Sequence, residues 1–203
     1  AEEKLRQSYN ILQQNLDKIV TVMSLTVEER DPYTAGHQRR TTDLAVAIAG
    51  EMGLSEHQIK GVQMAGFIHD IGKISIPAEI LSKPGRLNEA EILLIRRHPQ
   101  VGYEILKKID FPWPVDLIVL QHHEKMDGSG YPQGLSGKET LVEARILCVA
   151  DVVETISSHR PYRPGLGLDK ALEDITKNRG ILFDPRVVDV CLTLFQKKNF
   201  QFE

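Results

Sequence analysis

Helix start and stop signals stand at almost every break in this chain's apolar pattern, and no alternating run leads into a hairpin turn. Ser55 with Gln58 and Asn88 with Glu91 have the spacing of capping boxes, and Gly53 sits where a helix would close. Pro77, Pro99, Pro114 and Pro185 fall where first helical turns are expected. This punctuation predicts an all-α domain of seven or more helices, a compact multi-helix bundle without internal repeats. Two irregular stretches interrupt it, 124–137 and 159–167. Long loops inside a compact helical domain are commonly functional.

Residues 1–30 carry Leu5, Tyr9, Leu12, Leu16, Ile19 and Met23 at spacings of four and three. That seam suits either a helix packed on its own domain or one paired with a second copy of itself. The sequence opens inside this helix, which reads as a linker over 1–27 leading from a longer polypeptide into a domain over 28–203. A formal net charge of -3 provides no broad positive field, so duplex nucleic acid is not an expected partner, and an anionic ligand must be held by local charge. No apolar run reaches membrane-spanning length. The two cysteines, Cys148 and Cys191, lie far apart in apolar helical contexts and read as core thiols of a reducing, cytoplasmic compartment.

Five of the seven histidines stand beside features that need a reason: His37, His69, His98, His122 and His123. A lone histidine on an apolar face is more often a core side chain than a ligand. Aspartates in apolar surroundings alter that balance. His69 and Asp70 follow Phe67 and Ile68 near a helix end, and Asp151 lies mid-helix between alanine and valine. A buried carboxylate without a partner is strongly disfavoured, and a cation removes the penalty. His37 begins the stripe His37, Thr41, Leu44, Ile48, while His98 stands at a helix break before Pro99. His122 and His123 end an apolar helix. Neighbouring side chains on a helix diverge by about 100 degrees, so the pair can converge on one ion only where the helix is ending. Five nitrogens and two carboxylates exceed the needs of one ion that must also admit substrate. Two metals sharing a carboxylate fit better, drawn from iron, manganese, cobalt, nickel or zinc because no thiolate takes part.

HDIGK at 69–73, HHE at 122–124 and DGSGYP at 127–132 are joined by TAGH, RRHP, ARILCVAD and HRPYR in the same order. Over roughly residues 28–195 the sequence thus resembles the HD-GYP family, a branch of the HD-domain metal-dependent phosphohydrolases. The resemblance implies an all-helical HD-domain bundle behind an extended signalling helix, and hydrolysis of cyclic di-GMP to linear pGpG or onward to GMP. It implies that His37, His69, Asp70, His98, His122, His123 and Asp151 ligate two metals, iron or manganese in the first place, with Asp70 bridging. Some members hold a third metal through a glutamate four residues before the first histidine. Tyr33 occupies that position here, so two ions are expected.

By the same resemblance Lys73 reaches the scissile phosphate as a catalytic residue with Asp70, Tyr131 contacts a guanine, and Arg160 and Arg163 hold substrate phosphate or base. The glycines of the 124–137 loop would bring backbone close to the nucleotide. Where many members read DVFDALTS this chain reads DVVETISS, so Glu154 and Thr155 would alter the wall facing the substrate. His57 and His159 read as surface residues. The implied setting is the output end of a bacterial signalling protein, with an upstream sensor or receiver domain and a homodimer through the first helix. Related ligands such as cyclic GMP-AMP, an idle cyclic-dinucleotide receptor, and an HD-fold di-iron oxygenase stand as alternatives.

Overall fold

A computed structural model describes residues 2–30, 36–158 and 166–202. Ten helices follow one another among the described residues: α1 (Glu2–Glu28), α2 (His37–Glu51), α3 (Glu56–Ile68), α4 (Ala78–Leu81), α5 (Glu89–Ile95), α6 (His98–Leu106), α7 (Val115–Gln121), α8 (Val142–Ser157), α9 (Leu168–Lys177) and α10 (Pro185–Lys197). A 3-10 turn, Ile71–Ser75, links α3 to α4. Among the described residues there is no β-strand, only isolated bridges at Asp127 with Ser136 and Arg179 with Phe183.

The local signals operate as the sequence implies. Ser55 and Gln58 form a reciprocal capping box, and Asn88 and Glu91 another. Each satisfies donors that a helix start otherwise leaves unpaired. Gly53, at φ 75, turns the chain out of α2.

Helix α8 is the axis of the fold. Ile146, Leu147, Val149 and Val153 are fully buried on it, packed with Leu44 and Ile48 of α2, Ile68 of α3, Ile118 of α7, Ile175 of α9 and Val187 of α10. At about 25 cal/mol per Å² of apolar surface, burial of this size is what organises such a domain. Both cysteines are free and buried in this core.

Two close approaches decide where the site forms. A Cβ on Gly66 would stand 2.6 Å from Thr42 Oγ1, so α3 lies tight against α2. A Cβ on Gly72 would stand 1.9 Å from the His98 carbonyl oxygen, so the 3-10 turn lies tight against α6. Glycine is required at both places to bring these separate segments together.

The seam on α1 divides. Leu5, Leu12, Leu16 and Ile19 are exposed, whereas Val20 and Val27 enter the core and Met23 packs at its edge. Packing of α1 on its own domain therefore uses its last turns and a face one position away from the seam. The segment 159–165, with Arg160 and Arg163, lies outside the described residues, as does Tyr33.

Candidate metal centre

Four different ends of helices deliver the polar side chains to one point. His37 opens α2, His69 and Asp70 follow the end of α3, His98 opens α6, and His122 and His123 follow α7. Only Asp151 comes from the middle of a helix, α8. Helix ends suit ligands because the chain there can aim neighbouring side chains in directions a regular helix forbids. The rings of His122 and His123 lie 4.0 Å apart at 40° instead of diverging.

The donors fall into two groups. His37, His69 and Asp70 offer atoms within 4.8 Å of one another, and so do His98, His122 and His123. Asp70 faces both. Its Oδ2 is 3.6 Å from His69 Nε2 and 4.0 Å from His37 Nε2, while its Oδ1 is 3.5 Å from His98 Nε2. Asp151 spans them from the other side, with Oδ1 3.3 Å from His37 Nε2 and Oδ2 4.0 Å from His123 Nδ1.

Ring orientation is set from behind. His69 Nδ1 bonds the Gly66 carbonyl at 2.7 Å, His98 Nδ1 that of Ile95 at 2.7 Å and His122 Nδ1 that of Val119 at 2.6 Å. Each of these nitrogens must carry the proton, which leaves Nε2 a bare lone pair directed inward. His37 uses a carboxylate for the same purpose, its Nδ1 bonding Glu154 Oε2. Glu154 is itself fixed by Arg40 Nε at 2.8 Å. His69 Nε2 is fully buried with no hydrogen-bond partner among the described residues. An orphaned lone pair among five imidazoles and two buried carboxylates fits a site made for cations.

Electrostatics point the same way. Burial disfavours charge on His37, yet hydrogen bonds to Asp151 and Glu154 carry its pKa up to about 9. Burial takes His98 down to about 4 and His122 to about 3, and it holds His123 well below the ordinary imidazole range. Burial would raise Asp70, but Lys73 and the surrounding histidines hold it far below the ordinary carboxylate range. Asp151 is likewise held down against burial, chiefly by His37. The second group thus presents neutral nitrogens at neutral pH, beside carboxylates that stay ionised.

Lys73 does not lie on the surface. Its Nζ sits 2.7 Å from Asp70 Oδ2, with the side chain 14% exposed. Tyr131 stacks on His123 at 4.7 Å between ring centres, and Arg96 Cζ lies 5.3 Å over the tyrosine ring. His57 stays apart, exposed beside Trp113.

One sequence expectation changes. Glu154, expected on the wall facing substrate, is instead fully buried behind His37. Within the 124–137 loop, a Cβ on Gly130 would stand 2.5 Å from Glu124 Cα and from the His123 carbonyl oxygen, so the loop packs tightly on itself there. The buried Glu124 carboxylate ties this loop down by accepting from Gln133 N at 2.7 Å and Leu135 N at 2.9 Å. Glu154 and Arg96 are the neighbours of the centre that sequence reasoning did not assign to it. For Glu154, the one available signal was its position three residues after Asp151 on α8.

A sequence profile of the HD domain family matches residues 21–187. The cyclic di-GMP phosphodiesterase response regulator RpfG of Xanthomonas campestris pv. campestris is 41% identical over 193 residues, spanning 94% of this chain and 51% of that protein. A cyclic di-GMP phosphodiesterase of Thermotoga maritima is 38% identical over 182 residues, spanning 88% of this chain and 49% of that one. The chain therefore spans about half the length of these relatives. Among solved structures, the cyclic GMP-AMP specific phosphodiesterase V-cGAP3 of V. cholerae superposes with a TM-score of 0.66 at 17% identity, over 89% of this chain and 49% of that one, and so shares the fold. With HDIGK, HHE and DGSGYP in place over this centre, the chain belongs to the HD domain family, in its HD-GYP branch.

Proposed function

We propose that this chain is a metal-dependent phosphodiesterase that opens a cyclic dinucleotide, with cyclic di-GMP as the first candidate substrate. The observation that carries the reading is Asp70, whose two oxygens face two separate groups of inward nitrogens. On this reading His37, His69 and Asp70 would hold one ion and His98, His122 and His123 the other, with Asp70 as the carboxylate they would share and Asp151 beside both groups. Iron or manganese suits this nitrogen and carboxylate set, with cobalt, nickel and zinc as further candidates.

Divalent metals so held would lower the pKa of water toward neutrality and neutralise phosphate charge. The chain's own groups then bind and orient. The Lys73 ammonium, anchored on Asp70, would stabilise the negative charge that gathers on the phosphoryl oxygens in the transition state. Tyr131, steadied on His123, would meet a base. Arg160 and Arg163 would grip phosphate, since a planar guanidinium can donate two hydrogen bonds to one phosphate. In this way a protein of net charge -3 could hold a dianion.

Incubation of the iron- or manganese-loaded protein with cyclic di-GMP, 3'3'-cyclic GMP-AMP and cyclic di-AMP tests the proposal. Linear dinucleotide, followed by mononucleotide, is expected from cyclic di-GMP. No turnover of any of the three with iron, manganese or cobalt would overturn it. Tight nucleotide binding that persists in Asp70→Ala would instead favour a receptor. The relatives' names support both guanine-containing substrates, and the relative rates decide between them. We further propose that the exposed seam of α1 pairs two chains and connects them to an upstream sensor or receiver domain.

A further inference from the structure

The end of α1 touches the backbone of two separate ligand-bearing segments. Helix α2 begins at Gly36, which has no side chain to cap it. The carboxylate of Glu28 supplies the cap from another helix, accepting from Gly36 N at 3.1 Å and Gln38 N at 3.2 Å. These amides flank His37. A carboxylate at a helix start satisfies orphaned donors and suits the positive end of the helix dipole. Glu28 is 8% exposed, and one turn earlier the Ser24 hydroxyl bonds the Gln38 side chain.

Two residues beyond Glu28, Arg30 reaches the other segment. Its guanidinium donates to the Ile74 carbonyl at 2.6 Å and the Ile76 carbonyl at 3.4 Å. These carbonyls end the 3-10 turn that starts after Asp70 and carries Lys73. One helix end thus holds the segment bearing His37 with one charge and the segment bearing Asp70 and Lys73 with the opposite charge.

We propose that Glu28 and Arg30 are positioning residues that set the spacing of His37 against Asp70, so that a shift of α1 changes how well the centre holds metal. This rests on the metal-centre reading above. It assigns to α1 a physical route for regulation, because an axial pull or twist at its end must move both segments or break their hydrogen bonds. Neither residue touches a ligand side chain, so the effect passes through backbone.

Titration of the 203-residue protein with Mn²⁺ by calorimetry, beside Glu28→Gln, Arg30→Met and the double variant, tests this. Circular dichroism melts check that each variant folds. The double variant is expected to lose about tenfold or more in Mn²⁺ affinity, as for other outer-shell losses, and Arg30→Lys is expected to recover part of it. An affinity in the folded double variant within a factor of about two of the parent would overturn the proposal while leaving the metal centre standing. No Mn²⁺ binding by the parent would overturn both. Should the variants fail to fold, hydrogen exchange on the parent decides: added Mn²⁺ is expected to slow exchange of the Glu29 and Arg30 amides, which bond back to Leu25 and Val27. Unchanged exchange there would equally overturn it.

Discussion

His37 has a carboxylate at each ring nitrogen, Asp151 at Nε2 and Glu154 at Nδ1, whereas His69, His98 and His122 lean on backbone carbonyls. The carboxylates raise His37 against burial, whereas burial lowers His98 and His122, and Glu154→Gln removes one of those charges while keeping the shape. Metal affinity measured by chelator competition should fall about 10- to 100-fold. The same asymmetry sets the pH response of the chelated protein. His98 and His122 have folded values below 6.5, so unfolding takes up protons as pH falls through that value, and stability declines toward pH 4. His37 is raised, so its contribution is complete below about 6.5 and is lost as pH rises toward 9. Thermal melts without metal should therefore peak near pH 6.5; a midpoint still climbing at pH 9 would contradict this. The residues that converge on the centre were legible because each is a polar residue in an apolar frame or at a helix break. Glu154 was not, because its partner lies 117 positions away and its place three residues after Asp151 is the one local hint that it faces inward.

At the scale of elements, the centre exists because short segments approach more closely than a side chain would permit. The 3-10 turn that follows Asp70 can reach His98 only because residue 72 has no Cβ. Gly72→Ala should destabilise the fold by about 1–3 kcal/mol in denaturant unfolding and weaken metal binding, since turn or helix must move. Unchanged stability would mean that the contact is softer than the structure implies. Capping boxes were readable because their partners lie three residues apart, and proline starts because the ring fixes φ at the residue itself. The way the irregular 124–137 stretch closes was not. Its closure rests on the Glu124 carboxylate, through bonds spanning 9 and 11 positions, which no local spacing reveals.

For the molecule as a whole, an all-helical architecture followed from the absence of strand signals, and no described helix is long and apolar enough to cross a membrane. Helix α1 combines two tasks that one apolar seam could not separate by spacing alone: its end is built into the core, and its earlier turns expose Leu5, Leu12, Leu16 and Ile19. Removal of residues 1–18 should leave a folded monomer, whereas the full chain should sediment as a dimer; equal masses would remove the pairing from the account. The centre itself is tested most directly by elemental analysis of protein purified without oxygen, beside Asp70→Ala. Two transition-metal ions per chain are predicted for the parent, and loss of both in the variant because both groups face that one carboxylate. A metal-free parent, or an Asp70→Ala protein that keeps both ions, would contradict it.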